Sequence, residues 1–208
     1  MAERTIAVVS AGLSKPSSTR LLADRLGGAA ERRLTERGDT VKVEVIELRD
    51  LAHDITNNLL TGFPSTQLEG AIETLLTADG VIAVTPIFTA SYNGLFKSFF
   101  DIIEPGSLID MPVLLAATGG TARHSLAIDY ALRPLFAYLH ADVASTGVFA
   151  STDDWGSDED GVKPLPERID RAAEEFVGLV TRSTRSKELR DPWALPAGFR
   201  PNGPAGLE

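Results

Sequence analysis

The chain has 208 residues, 43% of them hydrophobic, enough for one domain with a substantial core. A formal net charge of -9 argues against a nucleic-acid surface, and the absence of cysteine excludes disulfides, thiolate metal sites and every thiol-dependent mechanism. The opening MAERTIAVVS lacks a signal-peptide core and no segment is apolar for long enough to span a bilayer, so the cytoplasm is the expected compartment and no membrane partner is expected.

In chain order, apolar runs at 6–9, 41–48, 81–84, 113–117 and 143–149 predict strands. Helical periodicity at 18–37, 66–77, 94–103, 125–140 and 166–184 predicts the helices between and after them, with Leu21, Leu22, Leu26, Ala29, Ala30 and Leu34 striping the first. The strands read as continuous Val and Ile runs, which predicts burial on both faces of a parallel sheet. The fold class is α/β. Right-handed crossovers close five such units into a flavodoxin-like doubly wound five-stranded parallel sheet, order 2-1-3-4-5, with helices on both faces. This domain is expected to occupy 1–184, followed by a Pro/Gly-rich tail at 185–208, whose Trp193, Leu195 and Phe199 are expected to pin it to the body or to a partner subunit. The helix LFKSFFDII carries more apolar side chains than one buried stripe needs, which predicts a subunit interface there.

The first strand runs into the loop SAGLSKPSSTR and then a helix. Unpaired N–H groups and the positive end of the helix dipole make such a junction an anion site. Neither G-x-G-x-x-G nor G-x-x-x-x-G-K-[ST] is present, which argues against a dinucleotide pyrophosphate and a P-loop. Ser10, Ser14, Ser17, Ser18 and Thr19 offer hydroxyls around one centre, which suits a terminal phosphate monoester, and Lys15 and Arg20 add charge. The structural alternative, Ser17 or Ser18 as a plain helix cap, explains only one or two of these hydroxyls. No Asp or Glu occurs from 4 to 20, from 80 to 100 or from 111 to 128, although the chain has 29 of them. Those stretches contain the C-terminal ends of three strands adjacent in the expected order, the edge where open α/β sheets bind ligands.

In VTPIFTASYNGLFKSFFD, the third strand is expected to end at Thr85-Pro86, with Pro86 turning the following N–H groups toward a flat heterocycle. Tyr92, Asn93 and Gly94 read as an ordinary turn. In ATGGTARHS, Gly119 and Gly120 permit close approach of the backbone to a ring, beside Thr118, Thr121, Arg123 and His124.

Taken together, GLSKPSSTRLLADRL, TPIFTASYNGLFKSFFD and ATGGTARHSLAIDYALRPLFAYLHA resemble the NAD(P)H-dependent FMN reductase family, in the branch that supplies reduced flavin to luciferase-like or alkanesulfonate monooxygenases. The resemblance covers roughly 6–149. It implies FMN, with NADPH or NADH as co-substrate. The FMN phosphate would lie at Ser10, Ser14, Ser17, Ser18, Thr19 and Arg20. The ring would lie along Thr85, Pro86, Ile87, Phe88 and Thr89, flanked on its other side by Thr118, Gly119 and Gly120. The family often carries Tyr where this chain has Phe88, so that hydroxyl's hydrogen bond is absent. It also implies a homodimer or homotetramer and a flavin-dependent monooxygenase partner. Arg123 and His124 are expected to face the nicotinamide nucleotide.

Hydride passes from nicotinamide to flavin N5 without an obligatory side-chain acid or base, so no catalytic residue is expected. A quinone or azo reductase and a flavodoxin-type electron carrier are the competing readings. The carrier is disfavoured because carriers of that type enclose the ring between aromatics and GGTARH has none. The segment GSDEDGVKPLPE mimics EF-hand offsets, but its first ligand position is Gly156 and a strand precedes it, so no metal is expected; Trp155 beside it is expected at the mouth of the site.

Overall fold

Successive strand residues point to opposite faces, and in β1 (Glu3–Ser10), β3 (Gly80–Phe88) and β5 (Pro112–Gly119) both directions are apolar. Ile6, Val8, Ile82, Val84, Leu114 and Ala116 enter one core, whereas Ala7, Val9, Val81, Ala83, Val113 and Leu115 enter another. Helices must therefore cover both faces. In the computed structural model, which describes residues 2–155 and 164–185, α1 (Ser18–Glu36) and α6 (Leu165–Arg182) cover the first through Leu22, Leu26, Phe176 and Val180. The second core takes α2 (Ala52–Thr61), α3 (Thr66–Thr77), α4 (Gly94–Asp101) and α5 (Arg133–Tyr138). Phe100 joins α4 to α5 there, its ring centroid 4.8 Å from that of Phe96 and 4.9 Å from that of Phe136. The 156–163 segment, with most of the EF-hand-like run, and the tail with Trp193, Leu195 and Phe199 lie outside the described residues.

The sheet runs β2 (Thr40–Glu47), β1, β3, β5, β6 (Asp142–Val143), all parallel. Two short strands lie off that path: β4 (Ser91–Tyr92) pairs antiparallel with β3, and β7 (Val148–Ser151) pairs parallel with β5. The α/β flavodoxin-like architecture is as expected, but the expected count and order, five strands as 2-1-3-4-5, are corrected to seven strands among the described residues, five on the path 2-1-3-5-6 and two off it. The strand expected at 143–149 is cut because its middle bonds elsewhere. Arg133 donates to the carbonyls of Ala144 and Ser145 at 3.1 and 3.0 Å, and Glu175 accepts from the amide and hydroxyl of Thr146 at 2.8 and 2.6 Å. With those groups satisfied by side chains, the segment has no need of a ladder.

The helix expected at 125–140 is also broken, into a wide π turn at Ile128–Leu132 and α5, preceded by a 3-10 turn at Ala122–His124. Pro134 in the first turn of α5 has no N–H for the preceding turn's carbonyl, so regular α geometry cannot run through it. The surplus apolar surface expected on LFKSFFDII is inside this chain: Phe96, Phe99, Phe100 and Ile103 are all buried in the second core. The 3-10 turn Leu48–Leu51 and α2 had no counterpart in the sequence reading. No helix among the described residues is long and apolar enough to cross a membrane.

Candidate functional site

Three chain segments meet at the C-terminal edge of β1, β3 and β5. They line an open cleft of ≈ 290 Å³. Leu13, Ser14, Ser17, Ser18 and Thr19 come from the first loop, Pro86, Ile87 and Phe88 from the second, and Thr118, Gly119 and Gly120 from the third. Thr152, which the sequence reading missed with Leu13, closes a fourth side just past β7. Asp154 fixes that corner by accepting from the amide and hydroxyl of Ser151 at 2.7 and 2.9 Å and pairing with Arg168.

The first loop is shaped by its helix. Ser17 caps α1 from an extended conformation, its Oγ accepting from the Arg20 amide at 3.2 Å. Gly12 lies so close that a Cβ there would stand 2.1 Å from Ser17 Oγ. Among the described residues, the N–H groups of Gly12, Leu13, Ser14, Lys15, Ser17, Ser18 and Thr19 find no acceptor, and the first turn of α1 holds no acid. A row of open donors at a helix N-terminus is what an anion requires.

Two buried bonds lock the loops together. Thr19 Oγ1 and Thr118 Oγ1 share a hydrogen bond of 2.8 Å between the first and third loops. Asn93 is the second lock: its Nδ2 donates to the Ala11 carbonyl at 2.7 Å, its Oδ1 caps α4 by accepting from Phe96 at 2.7 Å, and its N–H donates to Thr85 Oγ1 at 3.2 Å. Asn93 is therefore more than the ordinary turn residue expected. Only a long-range partner, invisible in local sequence, distinguishes it from any helix cap.

The second segment corrects the expectation for Pro86. The strand does not end there; Pro86 pairs in register with Thr118 of β5, and Ile87 and Phe88 continue opposite Tyr92 and Ser91 of β4. The chain reverses only at Thr89 and Ala90, whose φ values are 50° and 66°. A proline is tolerated because β5 bonds one edge of the strand and the hairpin takes over beyond it. Phe88 stands half-exposed at the cleft. In the third segment, Gly119 is required by packing, since a Cβ there would meet the Phe149 ring at 2.8 Å, whereas Gly120 faces open space.

Several expected residues lie off the cleft lining. Ser10 and Thr85 are fully buried at its base strands; the Ser10 hydroxyl finds no partner among the described residues and the Thr85 hydroxyl donates to the Pro86 carbonyl at 3.0 Å. Thr89 is exposed on the hairpin tip, and Arg123 and His124 sit in the exposed 3-10 turn after β5. Arg20, expected at the phosphate, instead binds Asp24 and Glu47, each at 2.7 Å. The bonds to Asp24 and then Glu47 raise its pKa further, so its charge is committed. Trp155, expected at the mouth, lies beneath Arg25, whose guanidinium carbon is 5.0 Å from the ring centroid.

Comparison with known proteins places this geometry. The family model described as NADPH-dependent FMN reductase matches residues 4–156, and the chain belongs to that family. It is 37% identical over 176 residues to an FMN reductase (NADPH) of Pseudomonas aeruginosa, covering 84% of this chain and 91% of the relative. It is 36% identical to the NADH-dependent FMN reductase SfnF of Pseudomonas fluorescens, covering 84% and 90%. Among solved structures, an oxidoreductase from Corynebacterium diphtheriae superposes with a TM-score of 0.83 at 46% identity, covering 88% of this chain and 99% of that one. The protein is an NAD(P)H-dependent oxidoreductase acting with FMN, with NADPH or NADH as co-substrate. The residues fit that flavin: none of the described residues that line the cleft is acidic, and they combine a row of open amides and hydroxyls with apolar Ile87 and Phe88.

Proposed function

We propose that the first loop holds the FMN phosphate through Ser14, Ser17, Ser18, Thr19 and the open amides, and that the ring lies between Pro86, Ile87 and Phe88 on one side and Thr118, Gly119 and Gly120 on the other. The observation that carries this reading is the convergence, in one cleft, of donors that find no acceptor among the described residues with the apolar Ile87 and Phe88, held in register by the Thr19 to Thr118 bond. When bound, FMN supplies an N5 that accepts hydride from the nicotinamide. The protein's part is position and charge. Backbone donors stabilise negative charge on the reduced ring, while Arg123 and His124, exposed beside the third loop, meet the nicotinamide nucleotide. No side chain is assigned a proton-transfer role.

The cleft would hand reduced flavin on to a monooxygenase. The open cleft supports this, since it leaves a path for a flavin to exchange. A homodimer or homotetramer completes the reading, supported by the exposed Leu126 just before the wide turn, Tyr130 within it and Tyr138 at the end of α5.

Anaerobic stopped-flow absorbance tests the core of the proposal. Bleaching of added FMN by NADPH or NADH, at a rate saturable in FMN, is the expected result. FMN that binds but bleaches with neither donor would return the electron-carrier reading. Sedimentation velocity tests the assembly.

A further inference from the structure

Two arginines stand near the first loop, and they are not equivalent. Arg20 is matched by two carboxylates. Arg49, just past β2, donates to the carbonyl oxygen of Ser14 at 2.7 Å, and its one carboxylate partner among the described residues is Asp50, at 3.5 Å and 55% exposed. The Arg49 side chain is only 18% exposed, and its Nε, the atom that faces Asp50, is buried and makes no hydrogen bond among the described residues. A guanidinium so desolvated and so loosely matched keeps most of its field. Its hydrogen bond also sets a peptide plane. In a trans peptide the C=O and the next N–H point opposite ways, so fixing the Ser14 carbonyl on Arg49 turns the Lys15 N–H, which finds no acceptor among the described residues, away from it.

We propose that Arg49, not Arg20, is the arginine of the phosphate site: it acts as a positioning residue that captures the Ser14 carbonyl, keeps the loop's N–H groups turned outward and places positive charge behind them. This rests on the assignment of the first loop to the FMN phosphate. An unbound Ser14 carbonyl would present its negative end to an anion, and Arg49 removes that conflict.

Riboflavin, which lacks the phosphate, separates this role from general support of the fold. Dissociation constants for FMN and riboflavin are measured by flavin fluorescence with the full chain, Arg49→Gln and Arg49→Lys, at low and high salt, alongside Tm. The expected result is that R49Q weakens FMN about tenfold or more, leaves riboflavin unchanged and flattens the salt dependence of FMN binding, while R49K keeps part of the FMN preference. An R49Q protein with the full FMN-to-riboflavin preference, or one that loses both flavins equally, would overturn the inference. If R49Q does not fold, R49K carries the test: a partly reduced preference supports the role and an undiminished one overturns it. A wild-type chain that binds both flavins alike would overturn the phosphate assignment, and this inference with it.

Discussion

Thr89 and Ala90 form a two-residue hairpin loop in which both residues have positive φ, a geometry that favours Asn-Gly and penalises most other side chains, β-branched ones above all. For a β-branched threonine the conformation is an outlier, and it borders the cleft through Phe88. Replacing Thr89→Asn with Ala90→Gly is expected to stabilise the protein by about 1 kcal/mol, read as a Tm rise of roughly 2–4 °C. Asn93 gives an opposite prediction. Asn93→Ala removes both the α4 cap and the tie to Ala11 and is expected to cost about 2–3 kcal/mol in chemical denaturation. Asn93→Ser retains a capping oxygen and is expected to cost about half of that. Equal losses in the two variants would show that the cap contributes nothing. These residues mark where sequence reading stops. The hydroxyls and glycines of the cleft were legible because their types are local signals, whereas Asn93, Arg49 and Thr152 act through partners or placement remote in sequence. The pairing of Arg20 was illegible for the same reason: nothing in SSTRLLAD says that Glu47, at the end of β2, will take its guanidinium.

At the scale of elements, the doubly apolar runs were legible because a buried parallel strand must be apolar in both directions, as β1, β3 and β5 are. Segments whose path is set by side-chain bonding were not. α2 exposes Leu59 and Leu60, which leaves its stripe blurred, and the 143–149 run has an ordinary strand composition until Arg133 and Glu175 divert its middle. Glu175 makes that diversion sensitive to acid. The Thr146 hydroxyl, then its amide and Arg171, hold the carboxyl below its ordinary range. A depressed folded pKa adds stability that is complete above the unfolded value and disappears as pH falls through the folded one. Glu175→Gln is therefore expected to be less stable than wild type near neutral pH, by about 1 kcal/mol given the partly exposed carboxylate, with the gap closing below the ordinary carboxylate range. Thermal melts across a pH series check this, and a gap independent of pH would refute it.

For the whole molecule, the loops of the cleft hang on three neighbouring strands, so a ligand that bridges them stabilises the fold as a unit. FMN at one hundred times its dissociation constant is expected to add about 2.7 kcal/mol, visible as a higher Tm, with riboflavin at equal concentration adding less. A Tm indifferent to FMN would contradict the site.

The divided outer strand also bears on how the protein fares in a crowded cell. A sheet edge is a template onto which a foreign strand can add. On that side, among the described residues, only the two residues of β6 and the four of β7 present an edge, separated by a stretch in which the Ala144 and Ser145 carbonyls and the Thr146 amide are already engaged by Arg133 and Glu175. The same side-chain bonds that spoil the regularity of the sheet deny it to intruding chains, and so guard against amyloid-like growth.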